Sequence, residues 1–317
     1  MFRLIQHFIK ETLISFYFEK EKYIVQKRIV KNEEVLSQEE FSFDEEELKN
    51  FINSCFMENT QTYVSTIIDT FNQGCVDSCN HSKYKALGIN LDNIKILCLK
   101  DYSIFIGLYE LNNFQKEMKK FKVDYIFSPY LMIDINKKQT PNSLYMLYAD
   151  NFMIIVIYED GIKPKYSNIY QFKEEENEIE EESIDDEVGD IDDIDDLVED
   201  IDEIENLDDT LDDSLDESIE ESLNEMVETD LESNHIQEDI TDVKNEMESI
   251  EFIKNSIKDY YENYSDNFLE NAYLFYHDKI SDKFIESIEN EIILDIKKEK
   301  LDMLSILNDL ALKEKNV

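Results

Sequence analysis

The sequence predicts an α/β protein of two lobes, with a long acidic insertion inside the second. Three observations lead there. Residues 1–69 read as strands, a helix and a further strand. Residues 143–172 read as an antiparallel three-strand run with no helix of its own, and 249–317 supply helices that such a sheet needs as cover. Between these last two pieces, residues 173–248 hold 37 acidic residues against two lysines, a local charge of −35 out of −44 for the chain. The acidity therefore belongs to one segment, and the expected division is 1–127, 128–172 with 249–317, and 173–248.

Each element has a local reason. LISFYF (13–18) and YIVQKRIV (23–30) are β-rich runs around the charged turn EKEK, a hairpin pattern, and a third run follows near Val35–Phe43. Asp44 can cap a helix in which Leu48, Phe51, Ile52 and Cys55 share a face. YVSTIID (63–69) has the unbroken β-branched character of a strand covered on both faces. After a loop containing Gly74, IKILCL (94–99) and SIFIG (103–107) form a strand pair. A helix is expected over 108–121 and a strand at 124–127, stopped by Ser128-Pro129. The strands 143–149, 152–158 and 165–172 are separated by Asp150-Asn151 and Asp160-Gly161, both good hairpin turns. The tail reads as a helix (250–264), a strand (269–276), a helix capped by Ser281 (281–292), a short strand (293–296) and a closing helix (303–313).

Within the acidic tract, Ile191, Ile194, Val198, Ile201 and Ile204 open a series of apolar residues recurring every three or four positions, a helical period. Like charges four residues apart oppose that helix at neutral pH, so a disordered or loosely helical insertion is expected.

Composition excludes several classes. Arginine occurs only at Arg3 and Arg28, and no basic run exists, so direct nucleic-acid binding lacks electrostatic support. The longest apolar run, FMIIVIY (152–158), is too short to cross a bilayer, and the N-terminus lacks a signal-peptide pattern. A cytoplasmic protein is expected, with reduced thiols at Cys55, Cys75, Cys79 and Cys98. Leu4, Ile5, Phe8, Ile9 and Leu13 could form a short amphipathic stretch; packing on its own lobe is the expected outcome. Cys75, Cys79 and His81 are the weak candidates for metal ligands, but C-x3-C-x-H is not a zinc-knuckle spacing, so no metal is expected. The histidines are scattered without a nucleophile motif, and the acidic pairs of the tract are solvated, so no catalytic residues are assigned. The tract also lacks the turn glycine of a calcium loop.

Longer stretches carry a likeness: IKILCLKDYSIFIGLYELNNFQKEMKKFKVDYIFSPYLMIDI (94–135), SLYMLYADNFMIIVIYEDGIKPKYSNI (143–169), NFLENAYLFYHDKISDKFIESIENEIILDI (267–296) and SILNDLALKE (305–314). With the layout of the first 69 residues, they resemble the two-lobed actin-like, ribonuclease H-like proteins of bacterial type IV pilus and type II secretion platforms, the PilM and GspL families. The resemblance implies a non-catalytic cytoplasmic scaffold, peripheral to the inner membrane through a partner. It would bind an inner-membrane platform protein and the assembly ATPase of a pilus, secretion or DNA-uptake machine, and is compatible with an oligomer.

The chain also departs from that pattern. Actin-like ATPases place Asp-x-Gly turns on the nucleotide phosphates and a glycine pair near the adenosine. Here Tyr276-His277-Asp278 stands where the glycine pair is expected. Only Asp134-Ile135-Asn136 resembles a phosphate turn, with a side chain obstructing close backbone approach. Asp134 and Asn136 are therefore the cofactor-binding candidates if ATP with magnesium binds at all, and no cofactor is the expectation. The alternatives are an actin-like ATPase with divergent phosphate turns around Asp134, or a protein whose acidic tract recruits a basic partner.

Overall fold

The computed structural model describes residues 10–58, 61–172 and 243–315. The expectations for the N-terminal stretch and for most of the acidic tract fall outside these residues. Three sheets organise the rest. In the first, β1 (Glu11–Glu19), β2 (Lys22–Lys31) and β3 (Glu34–Phe43) form an antiparallel meander, and helix α1 (Glu45–Met57) leads to β4 (Gln61–Ile67). β4 lies parallel to β1, and β8 (Tyr125–Phe127) lies parallel to β4, giving the order β3-β2-β1-β4-β8. The second sheet repeats this plan. The meander β9 (Ser143–Tyr148), β10 (Phe152–Tyr158) and β11 (Pro164–Gln171) is extended by β12 (Asn271–Tyr276) and β13 (Ile296–Lys300), both parallel to β9, in the order β11-β10-β9-β12-β13. Two sheets of order 3-2-1-4-5 with the same strand senses make up the two-lobed actin-like, ribonuclease H-like fold.

The sequence explains the local structure. Thr12–Tyr17 are buried one after another, because β1 is central and covered on both faces. All seven residues of β10 are buried for the same reason. Asp44 accepts from the Glu47 amide while the Glu47 side chain accepts from the Asp44 amide, a complete capping box that starts α1. Leu48, Ile52 and Cys55 of that helix pack with Ile14, Phe16, Val25 and Val64 on the outer face of the first sheet. On the outer face of the second sheet lie α5, a helix through residues 243–263, and α6 (Asp282–Ile292), whose cap Ser281 accepts from the Phe284 amide. Tyr170 of β11 meets α5 through its hydroxyl on Glu248 (3.1 Å) and its ring on Phe252 (5.5 Å between centroids). The chain thus leaves the meander and re-enters the described structure on the same face of one sheet.

Between the two sheets lie α4 (Tyr130–Asn136) and α7 (Met303–Glu314). Tyr130–Ile133 from α4 and Met303, Leu304, Leu307, Leu310 and Ala311 from α7 share one core with the inward faces of both sheets. The sequence assigned the closing helix to the cover of the second meander, but α7 packs on β1, β2 and β4 of the first sheet. Buried polar groups of that sheet explain the choice. Ser15 Oγ donates to the Leu304 carbonyl (2.8 Å), Asn308 Nδ2 to Gln26 Oε1 (2.9 Å), and Arg28 Nη1 to Asp309 Oδ1 (2.5 Å). Without these partners the first sheet would bury unsatisfied polar atoms.

A third, small antiparallel sheet sits between β4 and β8 in sequence: β5 (Gln73–Val76), β6 (Ile94–Cys98) and β7 (Ser103–Gly107), order β5-β7-β6, with α2 (His81–Ala86) and α3 (Leu108–Met118). β5 and α2 occupy what the sequence suggested was a loop. The last strand also differs: Ile293 ends α6 in a left-handed conformation (φ 56°), and β13 begins only at Ile296. Finally, the thiols were expected to be reduced, but Cys79 and Cys98 form a disulfide, their Cα atoms 5.7 Å apart. The fold brings the end of β6 against the loop before α2, which the sequence separation of 19 residues does not reveal.

Candidate active cleft between the lobes

The carboxyl ends of parallel strands are where ligand sites form in α/β sheets, because loops diverge there and leave a crevice. In this chain the ends of β1, β4, β9 and β12, two from each sheet, converge on one cleft of about 330 Å³. Four segments line its polar part. The first is Tyr17–Glu19, leading into a two-residue turn in which Lys20 (φ 44°) and Glu21 (φ 65°) are both left-handed, as the tightest hairpin turn requires. The others are Asp69-Thr70 after β4, Asp150-Asn151 in the β9–β10 turn, and His277 after β12. Asn151 Nδ2 reaches across to Asp69 Oδ2 (3.3 Å) and to the Phe18 carbonyl (3.5 Å), tying the second-lobe turn to the first lobe. Phe16, Tyr23, Phe114 and Met118 give the cleft its apolar wall.

The floor is acidic. Glu19, Asp150 and Asp278 each bring a carboxylate oxygen within 4.8 Å of the other two. Tyr17 hydrogen-bonds through its hydroxyl to His277 Nε2, which lies 3.6 Å from Glu19 Oε2, and Lys20 Nζ stands 3.9 Å from Asp278 Oδ2. Burial and the hydrogen-bonded Glu19 beside it push the Asp150 carboxyl up to about 8. Burial opposes ionisation of Glu19 too, but hydrogen bonds from His277 and Asp150 outweigh it and hold Glu19 below the usual carboxylate range. Two carboxylates within 4.8 Å of each other oppose joint ionisation, which raises the affinity of the pair for a proton. Burial and the charge of Glu19 also raise the Tyr17 phenol well above its ordinary value.

The residues singled out from sequence lie elsewhere. Asp134 and Asn136 occupy the last turn of α4 rather than a phosphate-type turn, and neither lines the cleft. Asp134 pairs with Lys137 Nζ (2.6 Å), which also sits over the Tyr158 ring (4.4 Å), and Asn136 Nδ2 donates to the Met132 carbonyl (2.8 Å). Cys75, Cys79 and His81 do not converge either. Cys75 is enclosed against the second lobe with its amide on Ser167 Oγ (2.8 Å), Cys79 is in the disulfide, and His81 is exposed at the start of α2. Among the described residues, the only group of three or more metal-type ligands within reach of one another is the acidic floor of the cleft. Sequence reasoning marked Asp150 as a turn residue and His277-Asp278 as the replacement for a glycine pair. Glu19 was read only as part of a charged turn; the one available signal was its place at the end of a central strand.

Comparison with known proteins gives the following. Residues 8–134 match the model described as Domain of unknown function (DUF8569), and residues 144–316 match that described as Domain of unknown function (DUF8341). No curated protein matches by sequence. Among solved structures, the chain is similar to a Bacteroides thetaiotaomicron protein with actin-like ATPase fold and unknown function (11% identity, 95% of each chain, TM-score 0.44). It is also similar to the PilM-PilN type IV pilus biogenesis complex (7%, 96% of each chain, 0.46). A third is the ethanolamine utilization protein EutJ from Carboxydothermus hydrogenoformans (9%, 96% of this chain and 89% of that one, 0.39). No helix among the described residues is long and apolar enough to cross a membrane. The second match spans more than half of the sequence, and the chain belongs to the family described as Domain of unknown function (DUF8341).

Proposed function

We propose that this chain is a non-catalytic actin-like scaffold that works by binding, linking an inner-membrane partner to an assembly ATPase in a pilus, secretion or DNA-uptake platform. The acidic floor of the interlobe cleft is the observation that carries the non-catalytic part. A nucleotide triphosphate with magnesium needs backbone amides and cations presented to its phosphates. Here the two hairpin turns carry Lys20-Glu21 and Asp150-Asn151 in place of glycines, and Glu19 and Asp150 bring carboxylate oxygens within 4.8 Å of each other. Asp69 and Asp278 add like charge. Without a metal ion between them, these carboxylates repel a polyphosphate. The partner assignment rests on the resemblance in the sequence stretches given above, not on the cleft.

Calorimetric titration of the full chain with ATP and magnesium tests this. The expected result is no heat of binding at millimolar nucleotide. Saturable binding that Asp150→Ala abolishes would replace the scaffold by an actin-like ATPase whose phosphate turns are the two hairpins of the cleft, not the segment around Asp134.

A further inference from the structure

We propose that the cleft binds an organic cation, a primary ammonium carried on a small apolar body. The inference goes beyond the scaffold reading but rests on its premise that no nucleotide fills the cleft.

The lining itself describes the ligand. A cavity of about 330 Å³ is at the small end of the range for small-molecule sites, which are mostly apolar with a few convergent polar groups. Here the apolar side is largely aromatic. The Phe16 and Tyr23 rings meet edge-on at 5.9 Å, and Phe18 lies against Tyr23 at 5.0 Å. Phe18 remains 44% exposed, so a ligand body laid on it removes further apolar surface from water. Phe114 and Met118 continue this wall from α3, a helix with no fully buried residue.

The charge of the lining is one-sided. It contains the carboxyl groups of Glu19, Asp69, Glu117 and Asp150 but no lysine or arginine. Lys20 stands 3.9 Å from Asp278, longer than a hydrogen bond, and lies outside the lining. His277 is engaged by Tyr17 and Glu19. Such a cleft repels anions and concentrates cations from solution, and aromatic faces beside the acids add cation–π attraction.

The floor also discriminates among cations. Glu19, Asp150 and Asp278 hold carboxylate oxygens within 4.8 Å of one another. An ammonium about 2.9 Å from each of three acceptors, at tetrahedral angles, spaces them about 4.7 Å apart. Magnesium at about 2.1 Å draws neighbouring oxygens to about 3 Å and surrounds itself with them, leaving no place for an apolar wall. The ammonium has three donors for three acceptors, while its body turns to the aromatic side.

Titration calorimetry of the full chain with phenethylammonium chloride at neutral pH and low salt tests this. Saturable binding is expected, weakening as ionic strength rises. 2-Phenylethanol, of similar shape without the charge, should bind the unsubstituted protein about tenfold more weakly or worse, as loss of a charge-assisted hydrogen bond requires. Glu19→Gln should weaken the ammonium by a similar factor, and Phe18→Ala, at an exposed ring, by about threefold. Equal affinity for the alcohol, no heat at millimolar amine, or unchanged binding in either variant overturns the proposal. Displacement of the amine by a lower concentration of magnesium chloride also overturns it, by giving the floor to a metal ion. The two readings fail separately. Absence of amine binding with no heat from ATP and magnesium sinks this inference alone, whereas ATP binding sinks the scaffold reading whatever the amine does.

Discussion

At the residue scale, Gly161 sets the second hairpin of the second lobe. Its φ of +73° is left-handed, and a Cβ there would lie 2.9 Å from the Gln139 carbonyl carbon and 3.0 Å from the Thr140 oxygen. Both are backbone atoms that cannot swing aside. Gly88 has the same φ, but a Cβ there would meet nothing within 4 Å. Changing Gly88 to alanine should therefore cost only the left-handed strain, about 1 kcal/mol. Gly161→Ala adds a backbone clash and should cost about 2–4 kcal/mol. Urea midpoints of the two variants check this; equal shifts would show that the clash is relieved without cost. Asp160 assists the same turn by accepting from the amides of Ile162 and Lys163, both at 2.8 Å. The Asp-Gly pair was legible in the sequence because turn chemistry is local. Asp150 shows the limit of that reading. Its place in a turn was legible, but its raised affinity for a proton comes from burial and from Glu19, and no local pattern shows either.

At the scale of elements, nearly all strands and helices were readable, because each carries its own signal: Asp44 with Glu47, Ser281, and the runs of β1 and β10. What failed was assignment of the closing helix. Its apolar stripe suits either sheet, and the deciding groups are Ser15, Gln26 and Arg28, polar residues inside strands whose need for partners shows only once both sheets are assembled. The segment 130–136 was missed for a related reason. Its seven residues fall short of two full helical turns, and the four buried ones, Tyr130–Ile133, run consecutively rather than at a period. Ending the chain at Leu301 tests how much α7 supports. Met303, Leu304, Leu307 and Leu310 together contribute about 6–12 kcal/mol at about 1.5–3 each, comparable to the whole stability of a typical domain. The truncated chain should show no cooperative thermal transition by circular dichroism. A melt near that of the full chain would mean that the first sheet finds another cover.

For the whole molecule, the described residues up to 172 and from 244 onward form one compact unit although some 70 residues separate them in sequence. α5 is seated on β11, and α6 adds to the same face through the bonds of the Ser281 amide and hydroxyl to Glu246 (3.0 and 2.8 Å). The expected outcome of replacing residues 174–242 by a short Gly-Ser linker is a chain that still unfolds in one transition. Its melting temperature should be equal or higher, since 35 negative charges and their mutual repulsion are removed. Differential scanning calorimetry reads this directly, and a broad or absent transition would assign the acidic tract a part in folding. The layout of the fold was legible at this scale because each meander calls for a helical cover and parallel neighbours. The cleft was not, because its four walls come from strand ends spread across the chain.

The position of α7 bears on how the protein is made. Gln26 and Asn308, hydrogen-bonded in the finished molecule, are 282 residues apart. At the usual pace of synthesis, about 5–20 residues per second, the ribosome needs about 15–60 s between the two. For that interval the nascent first lobe has one face of its sheet without its final cover, and it is completed only once α7 has been made. A sheet whose strands are made early is thus covered late, and until then its polar groups, Gln26 and Arg28 among them, bond to water in place of α7.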